Sequence, residues 1–181
     1  MVPRSKLPWI GRWAHDAVTN AVTYRRAGVE DLEAICVLGQ LLNAIHHGQH
    51  PDIYTEATTD AMRDASHWLP SLQGEKHAAF LAEEGQVAVG FITVQITTLN
   101  SPLLQPATIG RIGSVCVCEN MHGQGIGRAL MAQTERWARD QGATDIRLVV
   151  WAFNEGARHL YSELGYEVRT IEMGRSLLPA K

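Results

Sequence analysis

Residues 109–130 read IGRIGSVCVCENMHGQGIGRAL, and the changes of character within this stretch decide the fold. Ile109–Cys118 is dominated by β-branched and small residues and reads as a strand. Gly123, Gly125 and Gly127 then fall at alternate positions, immediately before a run in which Ile126, Leu130, Thr134 and Trp137 recur at helical spacing. That helix closes near Gly142, where glycine suits a left-handed cap. The order is strand, glycine turn, helix. Such a turn is an anion site, because glycines let the backbone approach closely, successive N–H groups point inward and the helix N-terminus carries partial positive charge. A phosphate or diphosphate is the natural occupant. The plainer reading is that the glycines only make a tight connection.

Outward from this stretch, the chain alternates between the two periodicities. Val22 and Tyr24 mark a short first strand, and Glu30 and Asp31 open a helix carrying Leu32, Ile35, Cys36, Leu38, Leu41 and Leu42 on one face. His46 to Thr58 (HHGQHPDIYTEAT) reads as a loop, and Ala61 to Leu72 as a weaker helix. Ala78 to Thr97 contains two apolar runs separated by Gly85 and Gln86, the signature of an antiparallel hairpin. Ile109–Cys118 is thus the fourth strand. Ile146 to Trp151 reads as a fifth, Ala157, Leu160, Tyr161 and Leu164 as a helical stripe closed by Gly165, and Tyr166 to Met173 as a sixth strand. Strands grouped first and then alternating with helices predict a mixed α/β sheet flanked by helices.

The 181 residues fit one domain, expected over 21–181, with residues 1–20 as an N-terminal extension. Hydrophobic residues at 45% and charged residues at 19% are ordinary for a globular chain. A net charge of −3 gives no field that favours nucleic acid or an anionic membrane, so any bound anion is held by a local site. Cys36, Cys116 and Cys118 are odd in number and form no C-x-x-C pair, which argues against a disulfide framework. Without an apolar run of about 20 residues or a hydrophobic leader, the expectation is a soluble, cytoplasmic protein.

Two common phosphate motifs fail. No Lys follows the glycines as a Walker loop requires, and counting from Gly123 puts Arg128 where a dinucleotide fingerprint needs its third glycine. The stretch His122-Gly123-Gln124-Gly125-Ile126-Gly127-Arg128 instead resembles the R/Q-x-x-G-x-G/A motif of the GNAT superfamily of N-acetyltransferases, with His122 where Arg or Gln is usual. A second segment, Asn154 to Tyr166, resembles that family's N-x-x-A-x-x-x-Y-x-x-x-G-[FY] pattern at every characteristic position.

The resemblance implies a GNAT-like, mostly antiparallel central sheet of six or seven strands, about four helices and a V-shaped opening between strands four and five. It implies acetyl-CoA as co-substrate, with no metal. The loop His122, Gly123, Gln124, Gly125, Ile126, Gly127 and Arg128 would hold the diphosphate, and the backbone of Val115 and Val117 the pantetheine arm. Asn154, Ala157 and Tyr161 would contact the cofactor from the last helix. On residue grounds alone Asn154 suits a helix N-cap and Tyr161 a core stripe. In the family the equivalent tyrosine is the general acid that protonates the leaving thiolate, so Tyr161 is the expected catalytic residue.

The reaction implied is attack of a neutral primary amine on the thioester in a ternary complex. A fixed N–H near Val117 would stabilise the oxyanion, by on the order of 3 kcal/mol. No carboxylate precedes Glu119 on the fourth strand, so the base would be a water chain or a residue of the His46 to Asp52 loop. His46 and His50 have the spacing of a zinc helix, yet Gly48 and Pro51 argue against a helix there. Cys116 and Cys118 alternate on one strand face and suit buried small hydrophobes better than an acetyl carrier. The resemblance implies a small-molecule or peptide amine as acceptor, met by the region from Leu41 to Leu72 and by the C-terminal strands, with neither nucleic acid nor membrane as partner. A homodimer is compatible with the resemblance. The alternatives are a non-catalytic acyl-CoA sensor of the same fold and an acyltransferase with a longer acyl donor.

Overall fold

The computed structural model describes residues 21–177, so the expected extension over 1–20 lies outside the described residues. The chain divides into two compact units, Met1–Val149 and Val150–Lys181.

The first unit is built on one five-stranded sheet in sequence order: β1 (Val22–Arg26), β2 (His77–Glu84), β3 (Val87–Leu99), β4 (Ala107–Val117) and β5 (Asp145–Arg147). β1 to β4 are antiparallel neighbours and β5 runs parallel to β4. The sheet is therefore mixed and mostly antiparallel, as expected. The β2–β3 hairpin turns at Gly85–Gln86, with Gly85 at φ 65°. In a two-residue turn that left-handed angle matches the strands' own twist and is cheapest for glycine.

Helices cover both faces of the sheet. On one, α1 (Leu32–Gln49) packs Ile35, Cys36 and Leu38 onto Ala79, Leu81, Phe91 and Cys116. Trp68, in the four-residue helix α2 (Ala65–Trp68), joins that core edge-on to Phe91 at 5.2 Å. It lies across α1 at Gly39, where a Cβ would come within 2.7 Å of the indole. On the other face α3 (Ile126–Asp140) approaches β4 so closely that a Cβ on Gly110 would be 3.0 Å from that of Ala138. Ile126, Leu130 and Met131 are its large buried apolar side chains, and burial of each contributes about 1.5–3 kcal/mol.

Three expectations need correction. α1 does not stop before His46 but runs to Gln49, so His46 and His47 lie on its last turn. The turn is held from outside the helix: His47 Nδ1 meets the Tyr54 carbonyl at 2.7 Å, and the His46 ring stacks on Tyr54 at 4.8 Å. Such tertiary support outweighs the roughly 1 kcal/mol that Gly48 costs. Second, β5 is shorter than Ile146–Trp151, ending at Arg147. Third, the sheet has five strands among the described residues, because Tyr166–Met173 forms no ladder there and Val168, Ile171 and Met173 are exposed. Strand propensity is local, whereas a strand exists only where a neighbour supplies the other half of its hydrogen bonds.

β4 is irregular near its middle. Val94 pairs with Ile112 but Ile92 with Val115, so Gly113 and Ser114 together oppose Thr93. This is a β-bulge, which bends the strand that carries it. Just before it, the ladder to β5 stops: only Ile109, Gly110 and Arg111 pair with Asp145, Ile146 and Arg147. β4 continues to Val117 without that partner, which opens the sheet between the fourth and fifth strands.

In the second unit, α4 (Glu155–Glu163) starts at Asn154, whose side-chain oxygen accepts the Ala157 N–H at 3.1 Å. Gly165, at φ 86°, ends it, with the Tyr166 N–H donating to the Tyr161 carbonyl at 2.9 Å. The N-cap and the glycine stop expected from the sequence are both present, and the stop is left-handed.

Candidate functional site: an open glycine turn at the end of a bent strand

After Val117 the chain makes a short 3-10 turn, Glu119–Met121, pinned by the buried Met121. The segment His122–Gly125 leads from it into α3. Gly123 and Gly125 stand at φ 77° and 78°, and a Cβ on either would meet nothing within 4 Å. Their left-handed backbone therefore faces open space and is not packed against a neighbour. Gly125 is the N-cap of α3 and no side chain caps that terminus. The first intrahelical bond is Ala129 N–H to Gly125 C=O at 3.0 Å, so the amides of Ile126 and Gly127 precede the helical ladder. The first turn carries no acidic residue. Open left-handed glycines, amides ahead of the ladder and the positive end of a fifteen-residue helix fit a diphosphate.

The remaining loop residues divide by role. Ile126 is buried, so its side chain anchors the turn while its amide stays at the helix end. Gln124 reaches back to Met121 Sδ at 3.8 Å. His122 Nε2 lies 2.8 Å from the Val117 carbonyl. A carbonyl only accepts, so Nε2 carries the hydrogen and this side chain ties the loop to the strand end.

The alternation of β4 shows which of its backbone groups face the opening. The Cys118 N–H donates to Val89 C=O across β3 at 2.8 Å. Backbone groups of an antiparallel strand alternate sides, so those of Val117 and Val115 point to the other edge, past the end of the β5 ladder. With the Val117 carbonyl held by His122, the outward groups are the Val117 N–H and both polar groups of Val115. Cys116 points into the core instead, 3.5 Å from the Leu38 carbonyl, and burial pushes its thiol up to about 12. Cys118 is also raised by burial. Neither is poised as a thiolate acyl carrier.

In the second unit Tyr161 is buried on α4, with Tyr166 5.9 Å away ring to ring. Burial raises its hydroxyl above the ordinary value near 10, so it keeps its proton throughout the neutral range. Ala157, half-buried, donates its N–H to Asn154. The cap role of Asn154 is thus realised through its oxygen.

The histidines expected as possible bases are engaged at and beyond the end of α1. Burial pushes His46, stacked on Tyr54, below its usual range. Gln40, fully buried, was not singled out in the sequence, yet it organises this region: its Nε2 donates to Asp64 at 2.6 Å and its Oε1 accepts the Thr58 N–H at 2.9 Å. Thr93 and Gly113 were also missed. A glycine inside an otherwise β-branched strand is the one local signal of a bulge that could have drawn attention to them. Among the described residues no three His, Cys, Asp or Glu side chains are grouped to hold a metal ion, and no helix is long and apolar enough to cross a membrane.

Comparison with known proteins places the chain among acetyltransferases. The chain is 32% identical over 129 residues to a mycothiol acetyltransferase of Rhodococcus jostii, covering 70% of this chain and 40% of that protein. It is 36% identical over 61 residues to the chloroplastic GCN5-related N-acetyltransferase 7 of Arabidopsis thaliana, covering 34% of this chain and 22% of that one. The chain spans less than half the length of the curated relatives it matches. Among solved structures, a mutant of the BH1408 protein of Bacillus halodurans superposes with a TM-score of 0.78 at 24% identity, covering 86% of this chain and 99% of that one. The aminoglycoside N-acetyltransferase AAC(6')-Iy, crystallised with CoA, gives 0.66 at 19% identity, covering 91% and 100%. Residues 41–166, well over half of the chain, match the acetyltransferase (GNAT) family, and the chain belongs to that family.

Proposed function

We propose that this protein is an N-acetyltransferase that uses acetyl-CoA to acetylate a primary amine by direct attack in a ternary complex. The observation that carries the reading is the glycine turn: two left-handed glycines open to their surroundings, at an uncapped helix start, directly after the bent end of β4. The amides from Gly123 to Gly127 would hold the diphosphate, and the outward backbone groups of Val115 and Val117 the pantetheine arm. Acetyl-CoA supplies the activated thioester. The Val117 N–H would stabilise negative charge on the thioester oxygen, and Tyr161, protonated at neutral pH like any tyrosine and raised further by burial, would protonate the departing sulfur. β4 carries no carboxylate, so the ammonium proton of the acceptor would leave through a water chain or to a residue of the His46 to Asp52 segment.

A small-molecule amine is the favoured acceptor class. The names of relatives support this, since one is a mycothiol acetyltransferase and another an aminoglycoside N-acetyltransferase. The test is isothermal calorimetry with coenzyme A, followed by thiol release from acetyl-CoA against a panel of amines. Micromolar binding with amine-dependent release is expected. Absence of any binding heat would overturn the reading. Tight binding with no release on any amine would assign the chain to the sensor class, and faster release from a longer acyl-CoA would change the donor.

A further inference from the structure

We propose that Thr93 is a positioning residue for the cofactor edge: its hydroxyl holds the bulge that decides which backbone groups of β4 face the opening. The inference rests on the cofactor reading above. Thr93 is buried on β3 and stands alone opposite Gly113 and Ser114. Its Oγ1 accepts the Ser114 N–H at 3.0 Å, taking the place of a ladder carbonyl. A Cβ on Gly113 would sit 2.8 Å from that same oxygen, a contact that real side chains do not make. Hydroxyl and glycine thus form a matched pair.

The consequence is a change of frame. Strand side chains and backbone groups alternate with period two, so one extra residue reverses both for the rest of the strand. With the bulge, Val115 and Val117 turn their amides away from β3, and Cys116 enters the α1 core beside the Leu38 carbonyl. In a regular strand with the register fixed at Val94 and Ile112, the outward set would be Ser114 and Cys116. Cys116 would then lose its place in the core. The clasp therefore links the packing of α1 to the presentation of the edge where β4 leaves β5.

Thr93→Val removes the hydroxyl at nearly constant volume, and Thr93→Ser keeps it. Coenzyme A affinity by calorimetry should fall about tenfold in Thr93→Val and stay within about twofold of wild type in Thr93→Ser. KM for acetyl-CoA should rise in parallel while KM for the amine holds. Amide exchange at Ser114, followed by NMR without ligand, should quicken in Thr93→Val only. A Thr93→Val chain that binds coenzyme A like wild type with Ser114 still protected overturns the inference. Should that variant fail to fold, Gly113→Ala takes its place: wild-type affinity in a folded Gly113→Ala chain is equally fatal. Wild type that binds no coenzyme A overturns the cofactor reading itself, and the Ser114 exchange then reports on the clasp alone.

Discussion

Two polar regions of the first unit invite chemistry, and they are built in opposite ways. The segment from His46 to Asp64 is rich in His and Asp, yet it is tied up by its own groups and those of α1: Gln40 with Asp64 and Thr58, His47 with the Tyr54 carbonyl, Asn43 with the Thr55 carbonyl. Asp64 is further held by Arg63, whose guanidinium keeps the carboxyl below its usual range. The turn from His122 to Gly127 has no acidic side chain, and its open features are backbone. Side chains rich in function here make a closed structure, while glycines leave donors open. A ligand site is marked by groups that the fold leaves available, not by the density of polar residues.

The sharpest way to break this comparison is Gly125→Val. A β-branched side chain at φ 78° is strained, and its Cβ would project into the open cradle, so coenzyme A affinity should drop by about 100-fold or more, measured by calorimetry. Wild-type affinity would show that the turn does not bind the diphosphate. Next in size, Tyr161→Phe should lower kcat by about 100-fold while coenzyme A affinity changes less than about twofold. Equal turnover would remove the proposed proton donor.

On the closed side, Gln40→Leu strands the Thr58 N–H and removes a partner of Asp64. It should cost about 2 kcal/mol in denaturant unfolding and leave coenzyme A affinity unchanged. An equal loss of affinity would mean that the two regions are coupled. The smallest effect concerns pH. Burial lowers the folded-state pKa of His46, so the unfolded chain, near 6.5, binds the proton more readily. The stability contribution is full above about pH 6.5 and is lost as pH falls below it. His46→Phe, which preserves a ring against Tyr54, should show a thermal midpoint that declines less than wild type between about pH 7 and 5.

Much of the site was legible because its signals are local. The glycine spacing, the Asn154 cap and the Gly85–Gln86 hairpin each depend on residues within a few positions, and all three stand in the structure. The failures involve distant partners. α1 extends past Gly48 because Tyr54 folds back onto it, and the Gln40 network joins residues 18 and 24 positions apart. Tyr166–Met173 has the composition of a strand but lacks a ladder among the described residues.

Motifs and residue spacing were enough to determine the family resemblance, the order of elements and the place of the glycine turn, because φ preferences, caps and periodicity act within one turn of chain. Only the tertiary structure decided where β4 parts from β5 and which of its amides face the gap. That choice is made by one buried hydroxyl on β3 lying against a glycine twenty residues away, and of this contact across two strands the local pattern shows only the glycine within β4, not the partner that answers it.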